Sequence, residues 1–257
     1  MKSPNLVLGT AQLGYQYGIA NQTKYSEKAA HELAYAALQN GIHHFDTSTA
    51  YHKAADVLGQ VFRQTDLRPK IATKFAIGSS RSISLEKIEK DFAAHLEQLG
   101  VSKIDCLFYH HPLDVKAGGK KLLDLLDGFR QRGWINRIGV SIYSPEEMQG
   151  LVPFLPEETV FQIPYNPLDT RWDKHGMLSS LAKRNMRIWF RSVFLQGLVF
   201  TPPSKWPRFD DPQGRTAALI VRDLDKFALL LGCGNVYELC LAFAKHHPEV
   251  ESIIVGV

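Results

Sequence analysis

The sequence has little of what would assign it to a class at sight. Cysteine occurs three times, at Cys106, Cys233 and Cys240. An odd number without metal-ligand spacing argues against a disulfide framework or a zinc cluster and fits buried or free thiols in a reducing compartment. No run of about 18 apolar residues is present, so no membrane-spanning helix is predicted. The opening MKSPNLVLGTAQLG has no apolar core of a secretory signal, and the expected location is the cytoplasm. No block of lysine and arginine interrupts a mildly basic net charge of +4, so a nucleic-acid surface is not expected. No G-x-G-x-x-G turn follows the first strand-like run, which weighs against a dinucleotide-binding open sheet.

What is present is an alternation. The 257 residues are 45% hydrophobic and 22% charged, an ordinary globular composition, and the length suits one α/β barrel. Short β-rich runs occur at NLVLG, GIHHFD, KIATKF, IDCLFYH, RIGVSI, TVFQIPY, MRIWFRS and ESIIVGV. Helical patterns lie between them, at residues 26–40, 54–64, 83–99, 119–133, 145–151, 175–185, about 216–231 and 235–247. The 83–99 segment places Leu85, Ile88, Phe92 and Leu96 on one face and ends at Gly100, an amphipathic helix with a stop signal. The apolar runs barely alternate, as parallel strands buried on both faces do. The predicted fold is a (β/α)8 TIM barrel, residues 1–257 forming a single domain, with a doubly wound open sheet as the alternative. One connection, residues 193–220, is long and rich in proline. On a barrel it would emerge at the C-terminal face, where active sites lie.

A barrel makes the polar residues at strand ends predictive, because those ends converge on one mouth. Asp46, Lys74, His110, Ser141, Gln162, Arg191 and Ser192 fall there, with Tyr51 in the loop after Asp46. Singly, Asp46 reads as a helix N-cap, Lys74 as a surface lysine and His110 as a satisfied core histidine. His110–His111 as a metal pair would need further ligands from other strand ends, and no metal site is expected. Together they are more polar than a barrel core requires.

These segments, in order, resemble the aldo-keto reductase family. GTAQLG (9–14, with Thr10) looks like its opening hairpin-to-strand motif, FDTSTAY (45–51) its aspartate–tyrosine motif, IATKF (71–75) its lysine strand, and LFYHHP (107–112) its histidine strand. IGVS (138–141) and FQIPYNP (161–167) resemble the nicotinamide-contacting segments, and RSVFLQGLV (191–199) the cofactor pyrophosphate loop. YGIAN (17–21), with RSVFLQG, is similar to a bacterial branch associated with surface polysaccharide pathways.

The resemblance implies hydride transfer from NADP(H), with NAD(H) possible, to the carbonyl of a small-molecule substrate. Tyr51 would supply the proton, Lys74 would lower the phenol from its reference pKa of about 10, Asp46 would hold Lys74 charged, and His110 would polarise the substrate oxygen. Thr10, Ser141, Gln162, Arg191, Ser192, Phe194, Gln196 and Gly197 would bind the cofactor. Three departures stand out. Arg191 occupies the register where relatives carry an aromatic stacked on the nicotinamide. Ile142 stands where many place an asparagine. The family's closing helix and substrate-facing tail are not among these residues, so the expected barrel lacks its last helix and tail and the chain reads as a shortened form of a longer protein. A cofactor-binding regulatory or catalytically impaired protein on the same barrel is the competing reading. Tyr15, Tyr17, Tyr109 and Trp206 are candidate mouth aromatics for an aldehyde, ketone or sugar-like ligand.

Overall fold

The computed structural model describes residues 3–19, 24–75, 84–206 and 212–256. Parts of the 17–21 motif, of the expected 83–99 helix start and of the 193–220 connection lie outside them. Eight parallel strands close a barrel in sequence order: β1 (Asn5–Gly9), β2 (His44–Ser48), β3 (Lys70–Phe75), β4 (Ile104–Tyr109), β5 (Ile135–Ser141), β6 (Val160–Pro164), β7 (Arg187–Arg191) and β8 (Val250–Gly256). β8 pairs with β1, Asn5 opposite Ser252 and Gly9 opposite Gly256, which closes the ring. The (β/α)8 expectation holds and the open sheet does not.

Nine α-helices occur among the described residues: α1 (Ala11–Gly14), α2 (Glu27–Gln39), α3 (Ala54–Arg63), α4 (Leu85–Leu99), α5 (Pro112–Gln131), α6 (Pro145–Gln149), α7 (Met177–Lys183), α8 (Pro212–Leu230) and α9 (Val236–Lys245). Local chemistry sets several ends. The Ser84 hydroxyl accepts from the Lys87 N–H at the start of α4, Gly100 closes it at φ 66, and Ser144 and Glu147 form a reciprocal capping box on α6, satisfying backbone groups that a helix end leaves unpaired.

Two sequence expectations shift. The 9–14 segment is not a hairpin: β1 passes directly into α1. The helix expected at 119–133 begins seven residues earlier, at Pro112, a residue whose fixed φ suits the first helical position. Gly119, at φ 51 and ψ −149, interrupts it. That interruption hid the first half from a periodicity reading.

Strand alternation divides the side chains into two sets. Val7, Ala72, Cys106, Phe108, Val160, Trp189 and Ile254 form a cluster inside the barrel. Gly139 makes room there, since a Cβ on it would approach the Phe108 ring to 2.4 Å. The intervening residues face the helices in the main core, where Phe92 and Phe129 stack at 4.9 Å. Fully burying such side chains contributes about 1.5–3 kcal/mol each. Tyr109 belongs to this outer set, 2% exposed and lining a crevice with Phe75, Ile88 and Phe129. It is therefore not a mouth aromatic: its neighbour Phe108 takes the inward position. No helix among the described residues is long and apolar enough to cross a membrane. All three cysteines are free, Cys106 and Cys240 buried.

Candidate active site at the barrel mouth

Asp46 lies inside β2 with a side chain only 5% exposed, so it is no helix cap. α3 is capped instead at Lys53, without a side-chain bond. One Asp46 oxygen pairs with the Lys74 ammonium. The other accepts from Gln162 Nε2 at 2.8 Å, reaching across from β6. Lys74, equally buried, is no surface lysine. Thr10 fixes the strand behind the pair: its hydroxyl and its N–H both donate to the Asp46 carbonyl, at 2.9 and 3.0 Å. A buried ion pair of this kind persists only when its remaining lone pairs are also satisfied, and Gln162 satisfies one.

Tyr51 sits on the turn after β2. Its N–H donates to the Ser48 carbonyl at 3.0 Å, and its own carbonyl accepts from Ala54 N–H at 2.9 Å. The Lys74 ammonium lies 5.6 Å from the Tyr51 ring centre. Tyr15 packs 5.9 Å away on the other side and itself touches Tyr17 and His52. The C-terminus of α1 also presses on this turn: a Cβ on Gly14 would stand 1.7 Å from the Tyr51 carbonyl oxygen. Only glycine allows that approach.

The electrostatics differ from the sequence expectation. Burial, then Asp46 and Tyr17, push the Tyr51 phenol well above its ordinary value. Arg191 pulls it down, but by less than burial raises it. Asp46, the carboxylate that holds Lys74, itself opposes ionisation of the phenol. Tyr15 is likewise pushed up to about 12, chiefly by burial.

His110 follows β4, its N–H donating to the Phe75 carbonyl at 3.3 Å. Its ring stacks on His111 at 4.8 Å, and its Nδ1 is buried without a partner, so it is not a satisfied core histidine. Burial, then Lys74 and His111, lower its pKa to about 4, leaving a neutral imidazole near pH 7. Among the described residues no group of three or more histidine, cysteine, aspartate or glutamate side chains could hold a metal ion.

A cavity of about 490 Å³ opens at the mouth. Asp46, Tyr51, Lys74, Gln162 and Arg191 line it from the strand side, with Thr10 and Tyr17 beside β1. The segment after β7 supplies the opposite wall through Ser192, Phe194, Gln196 and Gly197. Its backbone is unusual: Ser192, Leu195 and Gln196 all adopt left-handed φ of 58, 51 and 52. Such conformations in non-glycine residues cost energy and concentrate at ligand sites. Asn166 Nδ2 donates to the Ser192 carbonyl at 3.1 Å and Ile19 N–H to the Gln196 carbonyl at 3.1 Å, which pin the loop. Ser141 is buried at the end of β5, in register with Gln162, and His110 stands apart likewise; neither is in the cavity wall. Trp206 is turned to the loop itself, donating to the Thr201 carbonyl at 2.6 Å.

The residues present fit a nicotinamide carboxamide. Because Gln162 gives its nitrogen to Asp46, its Oε1 is a buried acceptor with no partner, which is what an amide NH₂ requires.

The two sequence departures at Arg191 and Ile142 are a single contact. Arg191 Nη2 donates to the Ile142 carbonyl at 3.2 Å, and the guanidinium lies 4.3 Å over the Tyr143 ring. Tyr143 and Asn166 were not anticipated as site residues. Asn166 stood within a quoted motif, whereas Tyr143 carried no signal.

Fold and site thus define a (β/α)8 barrel with a polar ligand cavity at the C-terminal ends of its strands. The Aldo/keto reductase family model matches residues 5–257, and the chain belongs to that family. Among curated relatives, it is 26% identical over 220 residues to L-glyceraldehyde 3-phosphate reductase of Escherichia coli (strain K12), covering 77% of this chain and 60% of that protein. An aldo-keto reductase of Mycolicibacterium smegmatis is 28% identical over 174 residues, 65% of this chain and 60% of that one. The chain therefore spans about 60% of the length of these two relatives. The solved glycerol dehydrogenase of Gluconobacter oxydans superposes with a TM-score of 0.74 at 22% identity, covering 98% of this chain and 82% of that one, a likeness of fold.

Proposed function

We propose that this barrel is an NADP(H)-dependent carbonyl reductase, converting an aldehyde or ketone to an alcohol with Tyr51 as the proton donor. The observation that carries the reading is the buried Asp46–Lys74 pair set beside Tyr51 in the wall of a cavity that also holds the unpartnered Gln162 acceptor. We also read residues 1–257 as one barrel domain. The relative named for L-glyceraldehyde 3-phosphate supports a small carbonyl compound as substrate.

A nicotinamide cofactor, when bound, supplies the hydride. Gln162 and Ser141 would hold its carboxamide, and the Ser192–Gly197 segment, including Phe194 and Gln196, would hold its phosphates through backbone N–H groups. Everything else falls to the chain's own side chains. Reduction leaves a developing alkoxide that needs a proton. A phenol kept protonated by burial is a donor across the neutral range, and its proton moves to the alkoxide oxygen. The resulting phenolate is stabilised by Arg191. Neutral His110 would donate a hydrogen bond to the same oxygen, and the Asp46–Lys74 pair fixes the floor beneath the ring.

Consumption of NADPH with a panel of small aldehydes and keto-sugars tests the reading. Turnover is expected, with Tyr51→Phe lowering kcat by about 10²–10⁴. Full turnover in that variant sinks the assignment of Tyr51. Tight NADPH binding with no reduction of any carbonyl replaces the enzyme by a cofactor-binding protein.

A further inference from the structure

Arg191 is the one residue in the cavity wall whose charge the described structure leaves uncompensated. The other cavity cation, Lys74, is paired with Asp46. No carboxylate among the described residues pairs with Arg191. Its guanidinium is held by the Ile142 carbonyl at 3.2 Å, by a long contact to the Ser192 hydroxyl at 3.4 Å and by the Tyr143 ring at 4.3 Å. Its Nε is buried with no partner. A half-buried guanidinium that is oriented, partly desolvated and lacking a counter-charge is an unfavourable arrangement on its own. It becomes favourable when an oxyanion arrives, because the planar fork matches carboxylate and phosphate geometry.

Its position says which ligand bears that anion. Arg191 is close enough to bear electrostatically on Tyr17, Tyr51 and His110. Tyr17, Tyr51 and Arg191 line the same cavity, whose reacting end beside Tyr51 is where the carbonyl substrate must lie. Tyr17 and Tyr143 add hydroxyl-bearing rings beside it, suited to a polar rather than an aliphatic compound.

We propose that Arg191 anchors an oxyanion on the substrate, so that the site selects aldehydes or ketones carrying a carboxylate or phosphate over neutral ones. This rests on the carbonyl-reductase reading and narrows its substrate class.

The test is a ratio. kcat/KM is measured for succinic semialdehyde against butanal, and for glyceraldehyde 3-phosphate against glyceraldehyde, in the wild type, Arg191→Met and Arg191→Lys. The wild type should favour the anionic member of at least one pair by about tenfold or more, the size expected of a charge-assisted bond. The pair showing it distinguishes carboxylate from phosphate. Arg191→Met should erase the preference, and Arg191→Lys should keep part of it. No preference in the wild type, or an unchanged ratio in Arg191→Met, overturns the proposal. A fluorescence titration with NADPH covers the other source of phosphate: weakened cofactor binding in Arg191→Met with an unchanged ratio assigns the guanidinium to the cofactor and overturns it too. If no aldehyde is reduced at all, calorimetric titration with succinate and glycerol 3-phosphate decides separately. Arg191-dependent binding upholds the anion site while the reductase reading falls, and its absence removes both.

Discussion

At the floor of the barrel Arg137 lies between two carboxylates, 2.7 Å from Asp105 and 2.6 Å from Glu251, whereas at the mouth Arg191 faces a tyrosine ring and two neutral oxygens. The floor groups come from strand starts: His44 on β2, Asp105 on β4, Asn136 and Arg137 on β5, Glu251 on β8. Asn136 donates to Asp105 at 3.2 Å and the Trp189 indole to Glu251 at 3.0 Å. These charges are matched within the protein. At the mouth, Gln162 Oε1, Arg191 Nε and His110 Nδ1 are buried and unmatched. One barrel thus carries a plug of charge-matched side chains at one end, where His44 Nε2 and Ser252 Oγ are the atoms left without a hydrogen bond, and a cavity with an uncompensated cation at the other, the division expected when strand starts serve stability and strand ends serve ligands.

The comparison can be broken most directly at the two ion pairs. Lys74→Met should have the largest effect, because it leaves Asp46 buried and uncompensated. Stability should fall by about 3–5 kcal/mol, read by urea unfolding, and activity should fall with it. Arg137→Met is the mirror experiment. It strands Asp105 and Glu251, both partly solvated, and should cost about 3 kcal/mol while leaving kcat per folded molecule unchanged. A loss of kcat there, at constant fold, would show the ends to be coupled.

Gly14→Ala tests how the mouth is held. The added methyl cannot coexist with the Tyr51 carbonyl at 1.7 Å, so α1 or the Tyr51 turn must move. We expect a destabilisation of about 1–3 kcal/mol and a fall in kcat of up to about 10²-fold from misplacement of the phenol. Unchanged kcat would mean that the helix yields and the tyrosine does not.

The smallest effect separates two histidines. Burial lowers the pKa of both His44 and His110 from 6.5 to about 4. The folded state therefore binds fewer protons than the unfolded chain between those values. The stability each contributes is complete above pH 6.5 and is lost as pH falls toward 4. At His44 the nearby Asp105 opposes this shift, while Arg137 and Lys70 reinforce it. Melting temperatures taken from pH 7 to pH 4.5 should drop in the wild type and drop less in His44→Gln. His110→Gln, at a more exposed site, should show the weaker version of the same change.

Much of this was legible in one dimension, and the particular residues show why. FDTSTAY, IATKF and LFYHHP sit on strands whose buried runs and turn signals are local properties, so β2, β3 and β4 and the placement of Asp46, Lys74 and His110 followed from them. Helix α4 followed from its apolar face and Gly100. The first half of α5 did not, because Gly119 breaks the pattern that periodicity detects. Nor did the short helix after β1, whose role is to bring Gly14 against Tyr51, a contact 37 residues apart in the chain.

Sequence alone determined the barrel and the family pattern and singled out the candidate proton-transfer residues, because each is written in short stretches whose chemistry is nearly independent of the rest. Tertiary structure alone decided how those residues behave. It buried Lys74 against Asp46, raised the Tyr51 phenol above its ordinary range, turned Tyr109 away from the mouth, gave half of Gln162 to Asp46, and joined Arg191 to Ile142 and Tyr143. Electrostatic influence and hydrogen-bond satisfaction depend on what is nearby in space and on how much water remains. Neither is a property of any single segment.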